Sequence, residues 1–552
     1  MGFFRRMTSQ RVTATTETED LTFECMSANG TIYLVGYNNV LLVDLEYKVN
    51  DGEYEPYEYT DVELTQGDKV SFRGVNTIDC FSTGQSDYIQ FEMEGQWNAS
   101  GDVTSLIGRS DTIGDWCFYQ LFKNCKGLLT APQLPSTTLG EGCYCKMFYG
   151  CESLMAAPQL PAMHLSGHCY SGMFHGCASL RVVPGLPALE LSDYCYSGMF
   201  TYCTSLAVPP ELPAYRLYKR CYDSMFFGCS ALTSVPQLPS EHLYSGCYHA
   251  MFGGCESLAT APELPATELA VYCYSEMFIS CKSLATAPEL PATELAKGCY
   301  RGMFEGCASL INPPELPATT LATECYEMMF RGCASMTTAP ELPAEQMQPM
   351  CYRQMFASCT ELTSTPTLPA TTLAFNCYDS MFGGCKKLTT VSALPATTLA
   401  NDCYTGMFSQ CIKLKNAPLL PATVLTINCY KEMFRQCTSM MIAPSLPATT
   451  LAPGCYSGMF ADCANLVIAP SLPATELAFS CYEEMFAGCV KVEELRVSST
   501  EALSDIYSQD WCINVAETGI FYYGAGATWT TDVERGTSTI PEGWTVAQMN
   551  QP

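Results

Sequence analysis

The chain has 552 residues, 48% of them apolar, with a net charge of −28 and a pI near 4.5. That balance excludes a nucleic-acid-binding surface, which needs clustered Lys and Arg. It suits a soluble protein whose copies repel one another. No run of 18 apolar residues exists, so no membrane insertion is expected.

The first twenty residues, MGFFRRMTSQRVTATTETED, are polar and threonine-rich and read as a flexible arm (1–20). Two arginines are present, but no apolar stretch of secretory length follows, and the start lacks the Ser/Thr of a myristoylation signal. From Leu21 the pattern alternates. LTFECMS, TIYLVGY, VLLVDLEYKV, YEPYEYT, DKVSFRGV and YIQFEMEGQW are rich in β-branched and aromatic residues and are separated by turn clusters such as Asn29-Gly30. Residues 21–115 are therefore predicted to form a small β-sandwich-like domain, with self-association through it as one expected contact.

From Cys117 the chain repeats every 26 residues without insertion or deletion. First cysteines fall at 143, 169, 195 and onward to 481, and a second follows each eight residues later, from Cys151 to Cys489. With the degenerate copy at Cys117–Cys125 this gives fifteen copies over 116–495. A fixed period in that range predicts a solenoid of stacked coils. Numbered from the first cysteine, the unit reads C-Y-x-x-M-F-x-G-C-x-S-L-T-T-A-P-E-L-P-A-T-T-L-A-x-x. Apolar positions 1, 2, 5, 6 and 9 have helical spacing, and glycine at 8 suits a helix end, so two helical turns are predicted there. Ser-Leu-Thr-Thr-Ala predicts a strand of three or four residues. Prolines at 16 and 19 remove two backbone donors and end it. Cys273, Cys281, Cys299, Cys307, Met277 and Phe278 are expected in structural ladders, each on its equivalent in the next coil.

The repeat resembles the BspA-type leucine-rich repeat family, whose shorter unit has an AFxxCxxL core. The matching stretch here is MFxGCxSL, as in Met303–Leu310 (MFEGCASL) and Met381–Leu388 (MFGGCKKL). The resemblance implies an α/β repeat fold: a leucine-rich-repeat solenoid of about fifteen coils, with the N-terminal all-β domain before it and a C-terminal β-rich cap (496–552) after it. It also implies a surface protein with a role in adhesion. The ending Gly536–Gln548 (GTSTIPEGWTVAQ) is similar to the tail that closes such arrays in proteins of gut anaerobes and their phages. Trp511, Phe521, Tyr522, Trp529 and Trp544 suit the job of covering the last coil.

Three readings of the cysteine columns stand: buried thiols, disulfides between position 9 of one coil and position 1 of a neighbour, and metal ligation. A bridge within one helical copy is excluded, because positions 1 and 9 would lie about 12 Å apart. The C-x7-C spacing and the shortage of histidines disfavour metal. Tyrosine at position 2 reads as core, or as an aromatic strip for glycan stacking. The five histidines, His164, His168, His175, His242 and His249, read as surface variation.

Recognition falls to variable positions. Position 17 carries Glu211, Glu263, Glu289, Glu315 and Glu341, and position 22 carries Glu190, Glu268, Glu294 and Glu476. Stacked, these predict acidic stripes, read as a solvated face or as a surface for cations or basic partners. No G-x-S-x-G, H-E-x-x-H or P-loop occurs, and no catalytic residue, cofactor or metal site is assigned. The expected function is non-enzymatic recognition of a host or bacterial surface glycan or protein, from an extracellular position on a bacterial surface or a phage virion. A purely structural component and a carbohydrate-active enzyme are the alternatives.

Overall fold

The computed structural model describes residues 19–38, 40, 42–78, 80–527 and 535–549. The arm expected over 1–20 lies outside this set up to residue 18. Trp529 and most of the TWTTDVERG stretch (528–536) also lie outside it.

The body is a β-solenoid of about 17 turns with a 26-residue period and almost no helix. This corrects the helical α/β leucine-rich-repeat reading. The stretch Cys-Tyr-x-x-Met-Phe-x-x-Cys is not helical. It is a run of four-residue turns in which one residue in four takes positive φ. In the coil opened by Cys273 these are Tyr272 (φ 54), Glu276 (φ 58) and Ser280 (φ 59). N–H groups alternate in their partners. Those of Cys273, Met277 and Cys281 donate three residues back, to Ala270, Tyr274 and Phe278 at 3.2, 3.3 and 3.1 Å. Those of Tyr274, Glu276 and Phe278 donate across to the next coil, to Cys299, Arg301 and Met303 at 3.0, 2.7 and 2.9 Å. An α-helix would direct every N–H inward along its own axis. Here every second one ties two coils together.

Apolar spacing alone does not separate the two structures, because a four-residue turn period also places positions 1, 5 and 9 on one side. The distinguishing signal is glycine. It recurs at position 4 (Gly172, Gly198, Gly302, Gly406, Gly458) and position 26 (Gly142, Gly246, Gly298, Gly454) as well as at position 8, all with positive φ. Side chains other than glycine pay roughly 1 kcal/mol or more at such backbone angles. The inter-coil hydrogen bonds offset that cost in the copies that carry Asn, Ser, Glu or Gln there.

The predicted strand is shorter still than expected. Position 14 forms single parallel bridges, as in Thr260↔Thr286↔Asn312, and position 22 forms a second row, as in His242↔Glu268↔Glu294↔Thr320. The prolines between these rows prevent a longer ladder.

The core is a set of columns. Cys273, Cys281, Cys299, Cys307, Met277 and Phe278 are all fully buried, as expected of ladder residues. Phenylalanine rings at position 6 stack 5.7 Å apart in the central coils and within 8° of parallel. Tyrosines at position 2 form a parallel column, Tyr274–Tyr300 at 6.0 Å, and are about 1% exposed, so they are core and not a glycan-stacking strip. The second-cysteine thiols have a directional role. Cys281 Sγ donates to the Phe252 carbonyl of the preceding coil at 3.1 Å, and the bond repeats from Cys151 to Cys489. The carbonyl already accepts the N–H of Cys255, so the thiol fills its second lone pair. All thirty repeat cysteines are buried and unbridged.

Before the solenoid, β1 (Leu21–Cys25), β2 (Asn29–Tyr37), β3 (Leu45–Val49), β4 (Glu55–Pro56), β5 (Val62–Thr65), β6 (Lys69–Gly74), β7 (Tyr88–Glu94) and β8 (Trp97–Ser100) form two antiparallel layers. One is ordered β8-β1-β6-β3-β4 and continues into the first coil, where Leu128–Thr130 pairs in parallel with β8; the other is β5-β2-β7. Phe91 of β7 imitates a coil residue. It stacks on Phe122 at 5.4 Å and its carbonyl accepts from Cys125 Sγ at 3.2 Å.

At the other end the consensus stops but the geometry does not. Asp510 (φ 51) and Asn514 (φ 60) repeat the turn pattern, and Phe486 donates to the Trp511 carbonyl at 2.7 Å. Trp511 thus stands where methionine stands elsewhere. The segment that begins at Trp511, within the cap expected to be β-rich, is therefore turn at its start. Strands Ser471–Leu472, Glu494–Val497, Ile520–Tyr523 and Thr545–Gln548 form a four-stranded parallel sheet in coil register. Trp511, Phe521 and Trp544 are buried.

Replacing Phe278 by Ala removes a ring stacked on both sides and is expected to cost about 3–5 kcal/mol, read as a lowered urea midpoint. Alkali provides a second test. Burial raises the Cys281 thiol from 9.0 to about 12 and raises Cys273 and Tyr274 as well. The folded chain therefore keeps protons that the unfolded chain releases. Stability is expected to be flat below about pH 9 and to fall steeply as pH rises toward the folded-state values, measured as thermal midpoints across that range.

Candidate functional site

The sequence-predicted glutamates all lie on the surface, and the structure sorts them into small groups. Glu263 and Glu289 line one open depression of about 420 Å³ together with Pro262, Pro265, Pro288 and Pro291. Glu315 and Glu341 line another of about 460 Å³, again between prolines of adjacent coils. Glu211 borders a third with Pro161 and Pro187. Around the corner, Glu268 and Glu294 face a separate depression floored by Leu269 and Leu295. These shallow troughs follow from the repeat. The buried leucine at position 18 pulls the chain inward between the two prolines, and the glutamate at 17 projects outward. Glu190 is paired with Arg216 at 3.2 Å. The other eight, Glu211, Glu263, Glu289, Glu315, Glu341, Glu268, Glu294 and Glu476, make no ion pair among the described residues.

A second array was not singled out from the sequence. Position 3, facing the turn side, carries Asp223, His249, Arg301, Glu327, Arg353 and Asp379 in successive or near-successive coils. Their side chains join across coils. His249 Nδ1 lies 2.9 Å from Asp223 and Nε2 lies 3.8 Å from Glu276; Arg301 bridges Glu276 at 2.6 Å and Glu327 at 3.0 Å; Arg353 bridges Glu327 at 3.1 Å and Asp379 at 3.1 Å. Arg220 adds a bond to Asp223 at 2.8 Å. Glu327 is almost fully buried between two guanidinium groups. At Asp223 burial acts to raise the carboxyl pKa, but hydrogen bonds from His249, Arg220 and Ser224 outweigh it and hold the value below the usual range. At Asp379 burial prevails and the value is raised. Reading the repeat down its columns would have exposed this alternation, because opposite charges follow one another at a single position.

Three of the histidines are consequently more than surface variation. His249 belongs to the charge column, His175 stacks on Tyr149 at 4.3 Å, and His168 stacks on Tyr194 at 4.7 Å. Burial lowers the pKa of His175. His164 and His242 share position 22 and sit in its bridge row. Among the described residues no group of three His, Cys, Asp or Glu is placed to hold a metal ion, and no helix is long and apolar enough to cross a membrane.

Replacing Glu327 by Ala would leave Arg301 and Arg353 each with one partner in a half-buried column. The expected loss is about 1–3 kcal/mol, measured by denaturant titration, with Glu327→Gln recovering part of it. No protein-family model, no curated protein and no solved structure matches the chain.

Proposed function

We propose that this chain is a non-enzymatic recognition protein that engages its partner along the proline edge of the solenoid. The observation that carries this reading is the row of unpaired, exposed glutamates set in open depressions that recur from coil to coil. The invariant residues are consumed by stacking, so specificity falls to the variable ones, and on this edge they are acidic and solvated. A rigid rod presenting the same shallow groove several times binds through many weak contacts acting together. Charge complementarity favours a partner with positive groups, either a basic protein surface or an amine-bearing glycan.

The MFxGCxSL stretch supports kinship with BspA-type repeat proteins, and through that kinship an extracellular position on a bacterial surface or a phage virion. In this reading the β-domain (21–115) holds or orients the solenoid and offers a surface for self-association. A purely structural component is the second reading, favoured by the regularity of the core columns.

Glycan arrays and surface-protein binding assays test the proposal. Binding is expected to weaken with salt. The combined variant Glu263→Gln, Glu289→Gln, Glu315→Gln, Glu341→Gln is expected to lose on the order of tenfold in affinity while keeping its thermal midpoint. A native protein that binds nothing on either platform would leave the structural reading in its place.

A further inference from the structure

Thirty-four cysteines are present, and all but one are buried; Cys80 alone is partly exposed. It lies in the loop between β6 and β7, outside the repeat. That loop runs beside the start of the first coil. The Phe81 N–H donates to Cys117 Sγ at 3.1 Å, the Ser82 N–H donates to the Cys117 carbonyl at 2.8 Å, and Cys80 Sγ donates to the Asp115 carbonyl at 3.5 Å. The Phe81 and Phe118 rings meet at 6.1 Å and fix the two segments side by side.

We propose that Cys80 and Cys117 form a disulfide that latches the N-terminal β-domain to the first coil of the solenoid. Cys80 directly precedes the residue whose N–H meets Cys117 Sγ, and its own thiol reaches the carbonyl two residues before Cys117, so side-chain rotation and a small shift bring the two sulfurs to bonding geometry. The column cysteines lack the other requirement, access to an oxidant. Each is buried, and burial suppresses thiolate formation.

The oxidant is a small-molecule disulfide. The Cys80 thiolate attacks one of its sulfurs, forming a mixed disulfide and releasing one thiolate. Cys117 loses its proton to solvent or to that thiolate, and its sulfur attacks the Cys80 sulfur. The protein disulfide forms and the second small thiol leaves. Two protein thiols and one disulfide thus become one protein disulfide and two small thiols. Burial and the Cys80 charge both raise the pKa of Cys117. Once Cys80 is a neutral mixed disulfide, the charge contribution disappears, which favours the second step. The latch is separate from the partner-binding edge and stands or falls independently of what that edge binds.

The test is a peptide map of the full chain, purified in reductant, exchanged into glutathione disulfide at mildly alkaline pH, then acid-quenched and digested without reduction. The expected product is one cross-linked peptide pair joining Cys80 to Cys117, with the intact mass lower by two hydrogens. In Cys80→Ser that product is absent and the intact mass is unchanged. A wild-type protein that stops at one glutathione on Cys80, or that joins Cys80 to any other cysteine, overturns the proposal. Because the map is read on the wild-type chain, it does not depend on whether a variant folds.

Discussion

Everything in the solenoid depends on how the turn segment spends its backbone donors. Alternate N–H groups close a turn within the coil, and the ones between reach the next coil. A single coil can satisfy only half of its turn donors, so it has no stable isolated form. The array is therefore cooperative between neighbours, as expected of quasi-one-dimensional proteins, but hydrogen bonds join apolar burial in carrying the coupling. The same arrangement explains the absence of insertions. One added residue would shift the alternation and leave donors of two coils without acceptors.

The side-chain columns follow from that register. Rings at positions 2 and 6 stack in parallel because each coil is a translated copy of the last. The Phe column begins before the first repeat, at Phe91, and ends after the last, on Trp511 at 5.8 Å from Phe486. The two ends are thus closed by residues that imitate a coil on one side and present something different on the other. In β7 that is a sandwich layer. At the C-terminus it is a parallel sheet able to lengthen because the prolines at 16 and 19 are gone. Compatibility with the column decides which residue serves as a cap, and size or aromaticity alone does not.

Charge is handled in two ways on two sides of the body. On the turn side, Asp223 to Asp379 alternate with His249, Arg301 and Arg353 and neutralise one another. Such a column also penalises a slip of one repeat, which would bring like charges together in coils that are otherwise nearly interchangeable. On the proline edge the glutamates stay unpaired and solvated. The net charge of −28 is therefore unevenly expressed.

The 26-residue period, the buried ladder residues and the outward glutamates were legible from the chain, because translation symmetry makes equivalent residues neighbours whatever the local backbone is; the count was not, since fifteen copies were read and the solenoid has about 17 turns. The backbone itself was not. Positions 1, 5 and 9 fall on one side in an α-helix and in a run of four-residue turns alike, and only glycine at 4, 8 and 26 separated them. The alternation of the charge column was present in the sequence at one repeat position, but its link through Glu276, from the neighbouring position, exists only once coils stack. The turn geometry beyond the last consensus repeat needed Asp510 and Asn514 in place to be seen. Sequence alone determined which residues must stack. Tertiary structure decided how the backbone turns between them, because the hydrogen bonds that select positive φ every fourth residue run to the next coil and do not exist in any one repeat.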